Sequence, residues 1–250
     1  MQKLLWAECQ KLRRSKMVWI TVFATVMVAV IVFISGGVGY SGIRDVDRVG
    51  WYMTVVQPLA TLFVLPAVIA LLGSYMICRE EQEDIIKSLR LIPISEAKLT
   101  STKMIITFAF SILIYLVLFV IALSVEAILH FSDLSVKMVL GFLKAYTLDG
   151  LGVFLAISPI IALVSHMKKS YWIALVVTEI YSFAGIFMSM SNTLRTFYPI
   201  TAIFGLSGYY EATAENLMGS IVVLLLCGCF SVFILKVLKH REKNCNRLSN

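Results

Sequence analysis

Charge is scarce in this chain, and the shortage excludes a water-soluble globule. Asp, Glu, Lys and Arg make up 15% of the 250 residues, while 59% are hydrophobic; soluble domains are about a quarter charged. Histidine is scarcer still. His130, His166 and His240 are dispersed, and no His-Glu-x-x-His pair occurs, which argues against metallohydrolase chemistry. A Gly-x4-Gly-Lys-Ser/Thr phosphate loop is also missing: Gly36-Gly-Val-Gly39 has no lysine. A Glu-Glu-x-x-x-Arg membrane protease motif fails as well, because Glu80-Glu81 is followed by Ile85 where the arginine is needed. The chain is therefore expected to have no catalytic, cofactor-binding or metal-binding residues of its own.

Its five cysteines, Cys9, Cys78, Cys227, Cys229 and Cys245, lack zinc-ligand spacing. Cys227 and Cys229 stand two apart on an expected helix, point in different directions and act as small apolar residues. No internal repeat, low-complexity tract or soluble domain interrupts the sequence, so residues 1–250 read as one transmembrane domain. The first apolar run, Met17 to Ile34, exceeds a signal-peptide core and precedes no small-x-small cleavage site, so a retained helix is expected.

What the chain does have is long apolar runs. Six can cross a hydrocarbon core of roughly 30 Å, which takes about twenty helical residues. They fall near residues 17–35, 57–77, 104–125, 139–164, 171–190 and 220–238. The runs are continuously apolar rather than alternating, which excludes a β-barrel. The expected fold is an all-α integral membrane protein of six spans.

The +7 net charge informs topology rather than nucleic-acid binding. Of 22 Lys and Arg, only Arg44, Arg48, Lys137, Lys144 and Arg195 fall in one set of connecting segments. The other 17 flank the termini and the second and fourth loops, which places both termini in the cytoplasm.

Between these spans lie three informative segments. Leu5, Cys9 and Leu12 share a face of a basic amphipathic stretch, Met1–Lys16, suited to the inner membrane surface. It reads either as a topology anchor or as an elbow helix that passes motion to the first span. Residues 191–219 on the opposite side are rich in aromatics, including Phe197, Tyr198, Phe204, Tyr209 and Tyr210, and are expected to rest in the interface or dip into the membrane. The loop after span two is the third. Ile85, Ile86, Leu89 and Ile92 have helical spacing, Glu83 and Lys87 form an i,i+4 pair, and Glu80 and Glu81 stand at the expected start. Pro93 stops this helix, and Ser95 before Glu96 suits the N-cap of the next.

Three ionisable residues lie within the apolar runs. Glu179 sits near mid-depth of span five, where a carboxylate costs about 2.5–3.5 kcal/mol on insertion scales. It either bonds within the bundle, lines a path for a cationic or amphipathic substrate, or carries protons. Lys144 and Asp149 lie in the outer half of span four and are further candidates for that path. At i,i+5 they are poorly placed to pair. Pro58, Pro66 and Pro159 are expected to kink their spans, as packing features or as hinges. Gly150-Leu-Gly152 and Gly205 allow close helix approach.

The loop after span two also carries a family resemblance. The order Glu80, amphipathic helix, Leu89, Pro93-Ile-Ser95 and Lys103 resembles the type-two ABC exporter permeases, most closely those of lantibiotic or bacteriocin immunity and bacitracin resistance. Ile85 stands where that family has Thr, and Glu96 where it has Arg. Glu8 with Lys11-Leu-Arg-Arg14, and Pro199 in the outer segment, also look like the family.

The resemblance implies a permease subunit in the bacterial plasma membrane that expels an amphipathic peptide or antibiotic. It binds no cofactor itself, because ATP belongs to a partner. The implied partners are an ABC ATP-binding subunit, a second permease in a homo- or heterodimer, membrane lipid and the peptide or drug substrate. The ATPase-coupling helix is then the cytoplasmic stretch with Glu80, Glu83, Ile86, Leu89, Arg90 and Pro93. A secondary carrier, for which no inverted repeat is visible, and a non-transporting sensor or accessory protein are the alternatives.

Overall fold

The computed structural model describes residues 2–37, 44–82, 96–167 and 171–248. All regular structure among them is helical, and six helices are long and apolar enough to span a membrane. A short helix α1, Gln2–Arg13, precedes the first span α2, Lys16–Gly36. Ser15 separates them and caps α2, its hydroxyl accepting from the Met17 N–H at 3.2 Å. Within α2, the Thr21 and Thr25 hydroxyls donate back to the carbonyls of Met17 and Thr21, so they enter the apolar interior with their polarity satisfied.

The second span is built in three pieces: α3, Trp51–Leu59; a π-helical turn, Ala60–Val64; and α4, Leu65–Gln82. Pro58 and Pro66 bracket the turn, and neither has an N–H for an α-helical ladder. Between them the chain widens, and the Leu65 N–H reaches Ala60, five residues back. The remaining spans are α5, Glu96–His130; α6, Val136–Met167; and α7, Tyr171–Met188. Two short helices follow, α8, Asn192–Phe197, and α9, Pro199–Ser207, before the last span, α10, Ala214–Leu248.

Spans two and four form the centre. In each, 61% of the most apolar stretch is buried, against 22% in spans five and six, which lie at the rim. Helix α6 touches α4, α5, α7, α9 and α10, and α7 packs mainly on α4. The core runs from Tyr52, Met53 and Val56 through Ile114, Tyr115 and Leu118 to Val153, Ile157 and Ile203, all essentially buried.

Several helices run past their expected ends: span two starts at Trp51, span three reaches His130, and span six starts at Ala214. Polar residues lower the hydropathy there, while the backbone ladder continues through them. The acidic pair Glu80-Glu81 is a correction of a different kind. Helix α4 continues through both to Gln82, so they belong to the helix of span two.

In α1, Leu5 and Leu12 pack on the bundle, Cys9 is exposed rather than sharing their face, and Glu8 is the buried residue, bonded to Lys11 at 2.7 Å. The packed face is thus Leu5, Glu8 and Leu12, at i, i+3, i+7 spacing.

Helix α6 runs through Pro159, whose ring leaves the Leu155 carbonyl without its usual donor. The Ser158 hydroxyl takes that place at 3.0 Å, and the Ser158 carbonyl accepts from Ser231 of α10 at 3.3 Å. Ser158→Ala is therefore expected to cost about 1 kcal/mol, a fall of roughly 2–4 °C in Tm for the detergent-solubilised protein. Pro159→Ala restores the N–H, so in that background the serine change should cost less; an equal cost in both backgrounds would refute the assignment.

Candidate substrate path and coupling surface

Polar side chains from five elements meet inside the bundle. The π turn carries Thr61, whose hydroxyl shares a 2.9 Å hydrogen bond with Tyr115 of α5. One turn earlier, Gln57 of α3 donates to Ser207, the last residue of α9, at 3.1 Å. Tyr146 of α6 donates to the Met53 carbonyl at 2.7 Å, and Ser111 of α5 donates to the Gly150 carbonyl at 2.7 Å. These bonds knit spans two, three and four, and each is strengthened by its dry surroundings.

Asp149 lies among them, fully buried, and neither carboxylate oxygen has a hydrogen-bond partner. Gln57 and Ser207 are the polar groups that bear most on its charge, but neither reaches it in bonding geometry. Lys144 is exposed and makes no pair with it, in keeping with a five-residue separation that turns the two side chains to different faces of α6.

Glu179 is placed elsewhere. It stands midway along α7, half-buried, on a helix whose Val176, Ile180, Phe183 and Phe187 are exposed. The inward side of α7 carries Ala174, Thr178, Ser182 and Gly185 instead. The three expected path residues therefore do not converge: Asp149 is sealed in the core, Lys144 faces out from α6, and Glu179 sits at the open rim of span five.

Of the expected coupling residues, Glu83, Ile86, Leu89, Arg90 and Pro93 lie outside the described residues, and Glu80 is described only as backbone in the last turn of α4. Helix α5 starts at Glu96, directly after Ser95, and Lys103 is buried near its beginning.

The segment between spans five and six dips into the bundle. Ile200, Ala202, Ile203 and Phe204 of α9 are fully buried, and Pro199 starts the helix where its missing N–H costs nothing. Gly152 admits α9, since a side chain there would meet Ile203 at 3.0 Å. Above α9, the Arg195 guanidinium lies 4.3 Å over the Tyr210 ring. Burial pushes the Tyr210 hydroxyl up, Tyr209 adds to the rise and Arg195 opposes it, so the hydroxyl remains a neutral donor at physiological pH.

A second buried carboxylate escaped the sequence reading. Glu126, at the far end of α5 from Glu96, is fully buried. One of its oxygens accepts from the Gly50 N–H at 2.6 Å and pairs with His130 Nδ1 at 3.1 Å. Gly50 has φ +78°, and Met138 fills the space a side chain would need. Glu126 thus sits at the positive end of the span-two helix. The signal was present as an i,i+4 Glu/His pair at the end of an apolar run, with a glycine opening another.

Six apolar helices around a polar but filled interior define a multi-pass membrane protein. A family model described as ABC-2 family transporter protein matches residues 4–185, from α1 through most of α7. That is well over half of the chain, which therefore belongs to the ABC-2 transporter family and is the membrane-spanning permease component of an ABC transporter. Membership implies association with an ABC ATP-binding subunit. No curated protein matches the chain.

Proposed function

We propose that this permease serves an exporter that expels an amphipathic peptide or antibiotic, as in bacteriocin or lantibiotic self-immunity, while a separate subunit hydrolyses ATP. The observation that carries the reading is Glu179. A half-exposed carboxylate midway along a span would cost about 2.5–3.5 kcal/mol against lipid. Its face of α7 therefore meets protein or substrate rather than hydrocarbon. The interior of the single bundle is filled by side chains such as Tyr115, Tyr146 and Ile157. The transport path accordingly lies at a seam with a second permease, where Glu179 draws in the cationic part of an amphipathic molecule. Lys144, exposed on α6, stands nearer the release side. Asp149, sealed in the core, stands apart from this path.

In the bacterial plasma membrane that this reading assigns, the 17-to-5 division of Lys and Arg supports both termini in the cytoplasm. On that side, Glu80, Glu83, Ile86, Leu89, Arg90 and Pro93 form the surface gripped by the ATPase. Gentle extraction is expected to retain an ATP-hydrolysing subunit whose turnover rises severalfold with a cationic amphipathic peptide, and Glu179→Gln should blunt that rise. A co-purifying ATPase that ignores such peptides in both proteins would overturn the substrate class.

A further inference from the structure

Among the described residues, Asp149 is the buried side chain with both oxygens unsatisfied. The groups acting on it are neutral: Gln57 from α3 and Ser207 from α9, with the titratable Tyr115 of α5 and Tyr146 of its own helix within electrostatic reach. Among the described residues, no basic side chain bears on it. Helix α9 adds an independent feature. It runs nine residues, ends at Ser207 and is closed by Gly208 at φ +82°. The backbone N–H groups of Tyr209 and Tyr210 both turn back to the Phe204 carbonyl. A helix ends with carbonyls that have no intrahelical donor and with a negative dipole pole. Here Ser207, the last residue of that helix, is one of the groups that act on the buried carboxylate.

A buried carboxylate thus lies beside the end of a helix, with only the neutral dipoles of Gln57 and Ser207 acting in favour of its charge. Such an arrangement persists when a cation occupies it, and buried unpaired polar atoms call for an ion or a proton. The ligands the cluster offers are oxygens, the Asp149 carboxylate and the Ser207 hydroxyl, beside the side-chain amide of Gln57, whose Nε2 donates to Ser207. Oxygen ligands select hard cations. One carboxylate supplies one charge, and no group of three or more His, Cys, Asp or Glu suited to a metal occurs among the described residues. A divalent ion is therefore poorly matched. We propose that Asp149, Gln57 and Ser207, at the C-terminal end of α9, form a binding site for a monovalent cation, either Na⁺ or a proton. Discontinuous helices whose C-terminal ends meet a membrane carboxylate suit such ions. Because the π turn of span two follows Gln57 directly, occupancy ties the centre of that span to α9.

The test needs neither ATP nor substrate, so it stands apart from the exporter reading. Thermal unfolding of the full-length permease in nanodiscs is measured in NaCl, KCl and N-methylglucamine chloride, at mildly acidic and mildly alkaline pH. The wild type is expected to gain roughly 2–4 °C with its cation, and Asp149→Asn should abolish the gain. A response to Na⁺ at fixed pH identifies the metal ion. A response to pH that is indifferent to Na⁺ identifies the proton. Ser207→Ala and Gln57→Ala keep the carboxylate and should move the half-effect concentration, or the pH midpoint, severalfold; they also serve if Asp149→Asn fails to fold. A wild type blind to both variables, or variants with the wild-type response, would overturn the site.

Discussion

Leu89→Asp is expected to leave the ATPase subunit hydrolysing ATP while export stops. Ile85, Ile86, Leu89 and Ile92 share an apolar face by their helical spacing, and in the proposed assembly that face docks in a groove of the ATPase. Burying one leucine side chain contributes about 1.5–3 kcal/mol, and a carboxylate at the same point must also be desolvated. The two effects together predict a loss of coupling of roughly 10²-fold. Arg90→Glu should act in the same direction more weakly, since a charge at the rim of such a contact contributes less. Helix α4 makes the effect intelligible: it extends to Gln82, at the edge of this segment, and is anchored higher up by Ser74, Leu72 and Ile69 in the most buried part of the bundle. A push at the segment therefore acts on the central span. Export assays and ATPase turnover on the same reconstituted sample decide the matter. Unchanged export with normal retention of the ATPase would remove this segment from the coupling surface.

The six spans were legible because each is an uninterrupted apolar run, a signal that depends on composition alone. Their ends were not, because residues such as Gln57 and Glu126 lower the local hydropathy without breaking the helix. They belong to the interior through bonds to Ser207 and Gly50, 150 and 76 positions away. The same reason hid Asp149. Sequence placed it in the outer half of span four but not in a sealed cluster, because the partners that surround it come from α3, α5 and α9. Aromatic enrichment did mark the segment after span five, and α9 is indeed buried. The face of α1 was misjudged by one position, Cys9 for Glu8, because hydropathy favours a thiol over a carboxylate wherever an ion pair is not foreseen. Gly150 and Gly152 were legible as close-approach positions, although only the fold says what approaches: α5 on one side and α9 on the other.

Gly150→Val is expected to be the most damaging single change in the spans. A side chain at Gly150 would begin 3.0 Å from the Ile112 Cα and 3.1 Å from the Ser111 carbonyl oxygen. Both are backbone atoms of α5, so no rotamer change can relieve the contact. The helices must separate, and separation lengthens the 2.7 Å bond from the Ser111 hydroxyl to the Gly150 carbonyl. It also displaces Tyr115, whose Cβ lies 3.2 Å from the same point and whose hydroxyl holds Thr61 in the π turn. Overpacking of this kind costs about 1–3 kcal/mol even for small additions, or roughly 2–12 °C in Tm, with Gly150→Ala milder than Gly150→Val. Gly141 is the control on the same helix. Nothing lies within 4 Å of a side chain built there, and alanine is the better helix former by up to about 1 kcal/mol, so Gly141→Ala should hold or raise Tm. If Gly150→Val melts with the wild type, α5 and α6 do not pack through this glycine, and the polar cluster beside it loses the contact that sets its geometry.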